Sequence, residues 1–544
     1  MGKYCCSSNC RSKRSDSLPL PIETTFNLPS PLPPWPEGEG FGSGTIDLGG
    51  LQVRQVSTFT KVWATSEGGS DNLGASFFEP SQIPTDFFML GCYSQPNNRK
   101  LRGWVLVARD KTNTDALKKP IDYTLVWSSE SLNIRQDGIG YFWSPTPPKG
   151  YKAVGHIVTN SQEKPSLEKV RCVRSDLTDE CKTESWIWGP GKRSATKHFN
   201  VFSLTPKDVG MLDLVVCVGT FLAQKPGQTI EAASISMACM KNKEGNFSWM
   251  PNLDQIQALF QAYAPWIYLH PIEKYFPSSM SWFFVNGALL YKRGDESKPE
   301  HIEARGNNLP RVHDFYEDDG AYWIDLPVDE ESKERIKRGN LKESEVYLHV
   351  KPIFGGTFTD ITIWIFYPFN GPAKAKVGCI NIPFRRIGEH VGDWEHLTLR
   401  VSNFSGELWS VYFSQHSRGH WVDAQDLEFH DGNKPAIYSS LHSHAMYSKP
   451  GLVLQGCGGM GIRNDTAKSE MVMDTGARFS VVAAEYLNLS EPPWLNYRRK
   501  WGPKISYGKI MKYVMKCFPS EMSGEEGPTG PMLKKSWKGD EVVQ

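Results

Sequence analysis

Seven consecutive residues, HVGDWEH (390–396), hold two histidines, two carboxylates and a tryptophan, and run straight into LTLRV. Side chains alternate across a strand, so Asp393, Glu395, Leu397, Leu399 and Val401 share one face, and Trp394, His396, Thr398 and Arg400 the other. The leucines and valine mark the first face as the core side. Two like charges directed into a core are costly unless something positive stands between them. A divalent cation meets that need, with His390 on the entering loop as a third ligand. Oxygen-rich ligation with one imidazole suits Mg, Ca or Mn better than structural zinc. Arg385, Arg386 or Arg418 could instead hold the pair without a metal. Seven of the 13 histidines fall between 390 and 444, so a common site is expected. His396, His416, and His442 with His444 on a shared strand face are candidates for a supporting shell or a general base.

The elements that must position these groups read as strands: ITIWIFYPF (361–369), EHLTLRV, LWSVYFSQH and PAIYSSLHSH. Asn252 is a good N-cap for a helix whose face carries Leu253, Ile256, Phe260 and Tyr263 and which Pro265 stops. A charged helix from Asp329 to Arg338 ends at Gly339. The expectation for residues 241–510 is a β-sandwich with peripheral helices.

The first half carries an internal repeat. FTKVW (59–63) returns as YTLVW (123–127), and GASFFEPSQIPTDFFMLG (74–91) returns as GIGYFWSPTPPKGYKAVG (138–155), both at an offset of 64 residues. A worn third copy runs through Ile187, Trp188, Val201 and Phe202 to Phe221. Each copy is made of short β-branched and aromatic runs between Pro, Gly and Asn turns, and one such unit cannot bury its own aromatic face. Residues 51–240 therefore read as a β-prism-like domain of three sheets about a shared axis. A Pro/Gly-rich strap (18–50) precedes it, and residues 511–544 read as a mobile tail. The fold class is mainly β.

The 544-residue chain has 18 Trp and 27 Phe and a net charge of +1 with no basic stripe, which argues against nucleic acid as a partner. No apolar run reaches the ~18–20 residues of a membrane span. The first residues, MGKYCCSSNCRSKR, resemble an N-myristoylation signal at Gly2, with Cys6 where Ser or Thr is usual. One acyl chain binds weakly, so Cys5, Cys6 and Cys10 as palmitate acceptors, with Arg11, Lys13 and Arg14, would complete an anchor. The N-terminus lacks an apolar signal core and the 11 cysteines show no framework spacing. The expected location is cytoplasmic, peripheral to the plasma membrane or endomembranes, with the sequons at Asn246, Asn403, Asn464 and Asn488 unmodified.

From Pro21 to Gly508 the chain resembles the plant family of vacuolar protein sorting-associated protein 62. The segments that carry this are PLPPWPEGEGFGSG, NLGASFFEPSQIPTDFFMLGCYSQPNNR, EKPSLEKVRCVRSDLTDEC, YAPWIYLHPIEKYFPSS and HVGDWEHLTLRV. The resemblance implies a role in trafficking. HVGDWEH is also similar to the GHRHDWE heptapeptide of necrosis- and ethylene-inducing-peptide-like cytolysins, β-sandwiches with a divalent metal at one end that engage sphingolipid head groups. That similarity implies metal ligation by His390, Asp393 and Glu395, with Gly392 in place of a second histidine and Asn370 nearest to an acidic ligand. Secreted lysis does not carry over to a chain without a secretion signal.

Three functions follow as expectations. The first is a peripheral adaptor that binds membrane lipid head groups, glycolipid or trafficking proteins. The second is a metal-dependent hydrolase of a phosphate or glycosyl ester, with His416 or His444 as base. The third is a lectin-like glycan binder. No nucleophile elbow, Walker loop or HExxH pattern supports a particular reaction, so binding ranks ahead of catalysis and no catalytic residue is assigned.

Overall fold

The computed structural model describes residues 19–111, 114–190, 199–311, 320–384, 387–416, 418–457, 460–504, 527–539 and 541. The acylation candidates Gly2, Cys5, Cys6 and Cys10 lie outside them, as do Arg385 and Arg386. The protein is mainly β, and among the described residues no helix is long and apolar enough to cross a membrane.

The repeat is more complete than the sequence suggests. Each copy has six strands divided between two small antiparallel sheets. In the first copy, Phe59–Thr65, Ala75–Pro80 and Tyr93–Pro96 form one sheet, while Leu51–Val56, Val105–Asp110 and Phe88–Met89 form the other, to whose edge the strap adds Ile46–Asp47. The second copy repeats this order with Asp122–Ser128, Tyr141–Thr146 and Ile157–Thr159, and with Leu117–Lys118, Cys172–Arg174 and Tyr151–Lys152. The third does so with Cys181–Trp188, Asn200–Pro206 and Phe221–Gln224, and with Thr178–Asp179, Cys239–Lys241 and Val215–Val216.

In all three copies the first hairpin slips register by one residue, at Val62, Val126 and Ile187, immediately before Trp63, Trp127 and Trp188. A bulge re-aims the side chain that follows it. These tryptophans meet at a common centre, Trp63 and Trp127 lying 5.6 and 5.8 Å from Trp188, with Phe77 and Phe142 (4.9 Å apart) beside them.

In the second half a six-stranded sheet runs in the order Arg418–Asp423, Leu408–Gln415, His390–Ser402, Phe358–Asn370, Val346–Ile353 and Phe479–Ala483, antiparallel except for the last pair. One face packs Leu397, Leu399, Val401, Ile361, Ile363 and Ile365 against the helix Leu253–Tyr263 and the strand Trp266–Tyr268 of a five-stranded sheet. The other packs Trp364, Phe366 and Trp394 against Trp494, Trp501 and Trp537. Burial on both faces explains why ITIWIFYPF is apolar at nearly every position rather than alternating.

Asn252 caps the helix as expected, in a capping box completed by Gln255. Leu253, expected on its buried face, is instead exposed, and Leu259 joins Ile256, Phe260 and Tyr263 in the core. The charged helix spans Glu330–Lys337, with Asp329 as its cap.

The strap ties the halves together. Leu101 of the repeat region exchanges backbone hydrogen bonds with Thr24 and Phe26, Trp35 Nε1 donates to the Ser405 carbonyl, and Asn433 holds Ser30 at both its backbone groups. Arg102 adds a direct link, reaching Glu407 (2.9 Å) and the Leu408 carbonyl (2.6 Å) beneath Trp409. The chain end departs from the expected mobile tail at residues 527–539 and 541, where Trp537 and Glu541 are buried against the large sheet.

Candidate functional site

The strand His390–Ser402 does place Asp393 and Glu395 on the same face as Leu397, Leu399 and Val401, and both carboxylates are buried. Opposite them in register lie Tyr367 and Ile365 of Phe358–Asn370. His444 comes from the turn after Lys434–Ser439 and reaches Asp393: its Nδ1 donates to Oδ2 at 2.9 Å, and its ring stacks on Tyr367 at 3.8 Å. His390 Nε2 stands 3.9 Å from the other Asp393 oxygen. Burial alone would raise the Asp393 carboxyl, but the His444 hydrogen bond and the charges of His390 and His444 outweigh it and hold it below the usual carboxylate range.

Glu395 behaves oppositely. Burial, and then the neighbouring Asp393 charge, push it up to about 8 against the pull of the Ser414 hydroxyl, which donates to Oε2 at 2.7 Å. One acid is therefore balanced by imidazole and the other by its own proton, and among the described residues no guanidinium is paired with either. Among the described residues no group of three or more His, Cys, Asp or Glu side chains is placed to hold a metal ion. Coordination of one ion by His390, Asp393 and Glu395 would use the Asp393 oxygen that faces His390 and would need Glu395 to deprotonate.

The other nominated residues are apart from this pair. The Asn370 amide donates to the carbonyls of Gly371 and Gly388 and fastens the loops at the strand ends. His442 and His444 do not share a strand face, because the strand ends at Ser439 and both sit in a turn at positive φ (70° and 55°). His442 turns instead to Glu273, to which its backbone N–H (2.6 Å) and Nδ1 (3.2 Å) both donate. Burial would raise Glu273, but these bonds and the His444 charge bring it down to about 2. His416 Nε2 meets Asn464 Oδ1 at 3.3 Å.

His396 lies on the opposite sheet face, where Glu541 accepts from its Nε2 (3.2 Å), from Thr398 Oγ1 (2.6 Å) and from Lys351 Nζ (3.4 Å). Sequence reasoning missed Tyr367, Ser414, Glu273 and Glu541. Pairing ITIWIFYPF with HVGDWEHL in register would have found Tyr367; nothing local marks the other three.

Gly392 has a structural reason for replacing the second histidine of the heptapeptide. Its φ is +69°, and a Cβ there would stand 2.8 Å from the Trp501 carbonyl oxygen. Only glycine fits that backbone comfortably.

Sheet-based architecture with a buried acid–imidazole cluster defines a mainly-β protein. The chain belongs to the Vacuolar protein sorting-associated protein 62 family, whose model matches residues 22–541. It is similar to Vacuolar protein sorting-associated protein 62 of Saccharomyces cerevisiae, at 24% identity over 319 residues, covering 50% of this chain and 64% of that protein. The chain thus spans somewhat less than two thirds of that relative's length. Similar solved structures include GNIP1Aa from Chromobacterium piscinae (19% identity, 39% of this chain and 40% of that one, TM-score 0.31). Another is NLPPya in complex with glucosamine (14% identity, 37% and 70%, TM-score 0.21). A third is Necrosis and Ethylene inducing Protein 2 from the causal agent of cocoa's Witches Broom disease (11% identity, 35% and 67%, TM-score 0.19).

Proposed function

We propose that the protein acts in vacuolar or endomembrane sorting as a peripheral membrane adaptor, held on a cytosolic leaflet by acylation at Gly2 and the adjacent cysteines. Family membership supports the trafficking role. The state of the ionisable cluster carries the choice of binding over catalysis. Asp393 is engaged by His444 and Glu395 keeps its proton, while the histidines nominated as bases contact Glu273, Asn464 and Glu541. Groups committed to structural pairs are poorly suited to shuttle protons for a substrate. Gly2→Ala should shift the protein from the membrane to the soluble fraction of a cell lysate; full retention on membranes would refute acylation as the anchor.

A divalent cation (Mg, Ca or Mn) at His390, Asp393 and Glu395 is a second proposal. It is supported by the approach of His390 Nε2 to 3.9 Å from Asp393 Oδ1, the carboxylate oxygen that does not take the His444 bond. Elemental analysis of protein purified without added metal should then find about one ion per chain, and Glu395→Gln should lower that content. Metal-free protein would refute it. The lectin-like alternative gains less, since Trp63, Trp143 and Trp188 of the repeat are buried; Trp186 is the tryptophan there that is exposed by more than a third.

A further inference from the structure

Beside the acid–imidazole cluster a four-stranded antiparallel sheet runs in the order Ile380–Pro383, Lys374–Val377, Met460–Thr466 and Gly451–Cys457. Lys374 follows Asn370 by four residues, and His390 comes seven after Pro383, so the sheet grows from the ends of the two strands that form the cluster. The turn between Val377 and Ile380 and the strand ends at Cys457 and Met460 lie at one end, since Val377 pairs with both Ile380 and Met460, and Met460 with Cys457.

Alternation puts Ala375, Val377, Ile380, Ile382 and Ile462 on one face. Near the root of the sheet Ala375 and Ile462 are buried. Toward the turn Val377 and Ile380 come into the open, Ile380 being 66% exposed, while Ile382, level with Ala375, is exposed at the sheet edge. The edge strand Ile380–Pro383 is exposed at all four positions. Edge strands are ordinarily blunted by charge or cover; this one presents aliphatic side chains instead. The segments VGCI (377–380) and QGCGGMGI (455–462) contain no charged residue. Lys374 and Lys376 stand behind them, on the reverse face and toward the root, beside Arg463, which is paired with Asp465.

Apolar end, cationic stem: this order along the sheet is what a bilayer with anionic head groups accepts. The uncharged end extends two to three residues past Lys376, about 7–10 Å at ~3.3 Å per residue. That matches the ~5–10 Å to which interfacial elements bury in the head-group and acyl boundary, and leaves the cations level with lipid phosphates.

We propose that the turn end of this sheet, through Val377 and Ile380, inserts into the interface of an anionic membrane while Lys374 and Lys376 meet its head groups. The proposal rests on the reading of the protein as membrane-peripheral, and it names the surface that touches lipid.

The test uses full-length protein made in bacteria without acylation, co-sedimented with phosphatidylcholine vesicles with and without phosphatidylserine. The wild type should bind the phosphatidylserine vesicles, less so at high salt. Ile380→Asp should weaken this at least tenfold, and Lys374→Glu with Lys376→Glu should remove the preference for phosphatidylserine, all at unchanged melting temperature because these side chains lie at the surface. Equal binding by wild type and Ile380→Asp, or no binding by the wild type, would overturn the proposal. So would an Ile380→Asp protein that binds vesicles normally but changes from dimer to monomer in sedimentation, because the face would then belong to a second copy. Fractionation of acylated protein separates the two readings. If that protein is soluble in cells, the membrane-peripheral role itself falls; if it is membrane-bound and purified Ile380→Asp still binds vesicles, only the surface assignment falls.

Discussion

Glu395 is a buried acid whose proton is kept by the low-dielectric surroundings and by the Asp393 charge two residues away. Its folded-state value lies above its unfolded one, so the unfolded chain releases the proton first. Stability therefore declines as pH rises from about 4.5 toward 8 and reaches its full penalty above that. Glu395→Gln keeps the shape and an acceptor for Ser414 without the ionisation. It should be nearly neutral at pH 5 and stabilising by on the order of 3 kcal/mol at pH 8.5, as thermal unfolding at the two pH values will measure. Gly392→Ala should cost about 1–3 kcal/mol at either pH, from the positive φ and the contact with Trp501. The inward direction of Asp393 and Glu395 was legible from alternation alone. Their compensation was not, because His444 approaches from a turn 51 residues away whose backbone conformation no local pattern announces.

At the scale of elements, the face of the large sheet opposite that cluster is closed by the chain end. Lys351 Nζ donates to the carbonyls of Ser536 (2.7 Å) and Gly539 (3.2 Å) and to Glu541, and Trp537 stacks on His349 at 3.9 Å. Burial works against ionised Glu541, but Lys351, His396 and Thr398 bring it down to about 2. A depressed acid stabilises above its unfolded value and loses that contribution as pH falls from about 4.5 toward 2. Glu541→Gln leaves the Lys351 ammonium buried with its main charge partner gone. The expected cost is roughly 3–5 kcal/mol, with faster limited proteolysis of the C-terminal segment, read by mass spectrometry at neutral pH. Composition suggested a mobile tail here, since Gly, Lys and Glu dominate it; one aromatic and one acid dock it because the sheet offers a partner for each. The helix Leu253–Tyr263 is the opposite case, where the cap, the stopping proline and three of the four expected core residues were local and readable, Leu253 being the exception.

For the whole molecule, the strap and Arg102 make the two halves one packed body. Arg102→Ala removes hydrogen bonds to Glu407 and Leu408 and the contact over Trp409. It should lower stability by about 2 kcal/mol, and calorimetry should show one transition for the wild type and the beginning of two for the variant. The mainly-β class, the 64-residue repeat and the core direction of the His390–Ser402 strand all follow from spacing along the chain, because alternation and repetition are local properties. Tertiary structure alone decided that Asp393 meets His444, that His442 turns to Glu273, that His396 faces Glu541, and that bulges at Val62, Val126 and Ile187 bring three tryptophans to one centre. Each of these depends on side chains far apart in sequence being packed together, where burial sets which charge is kept and which partner is near enough to balance it.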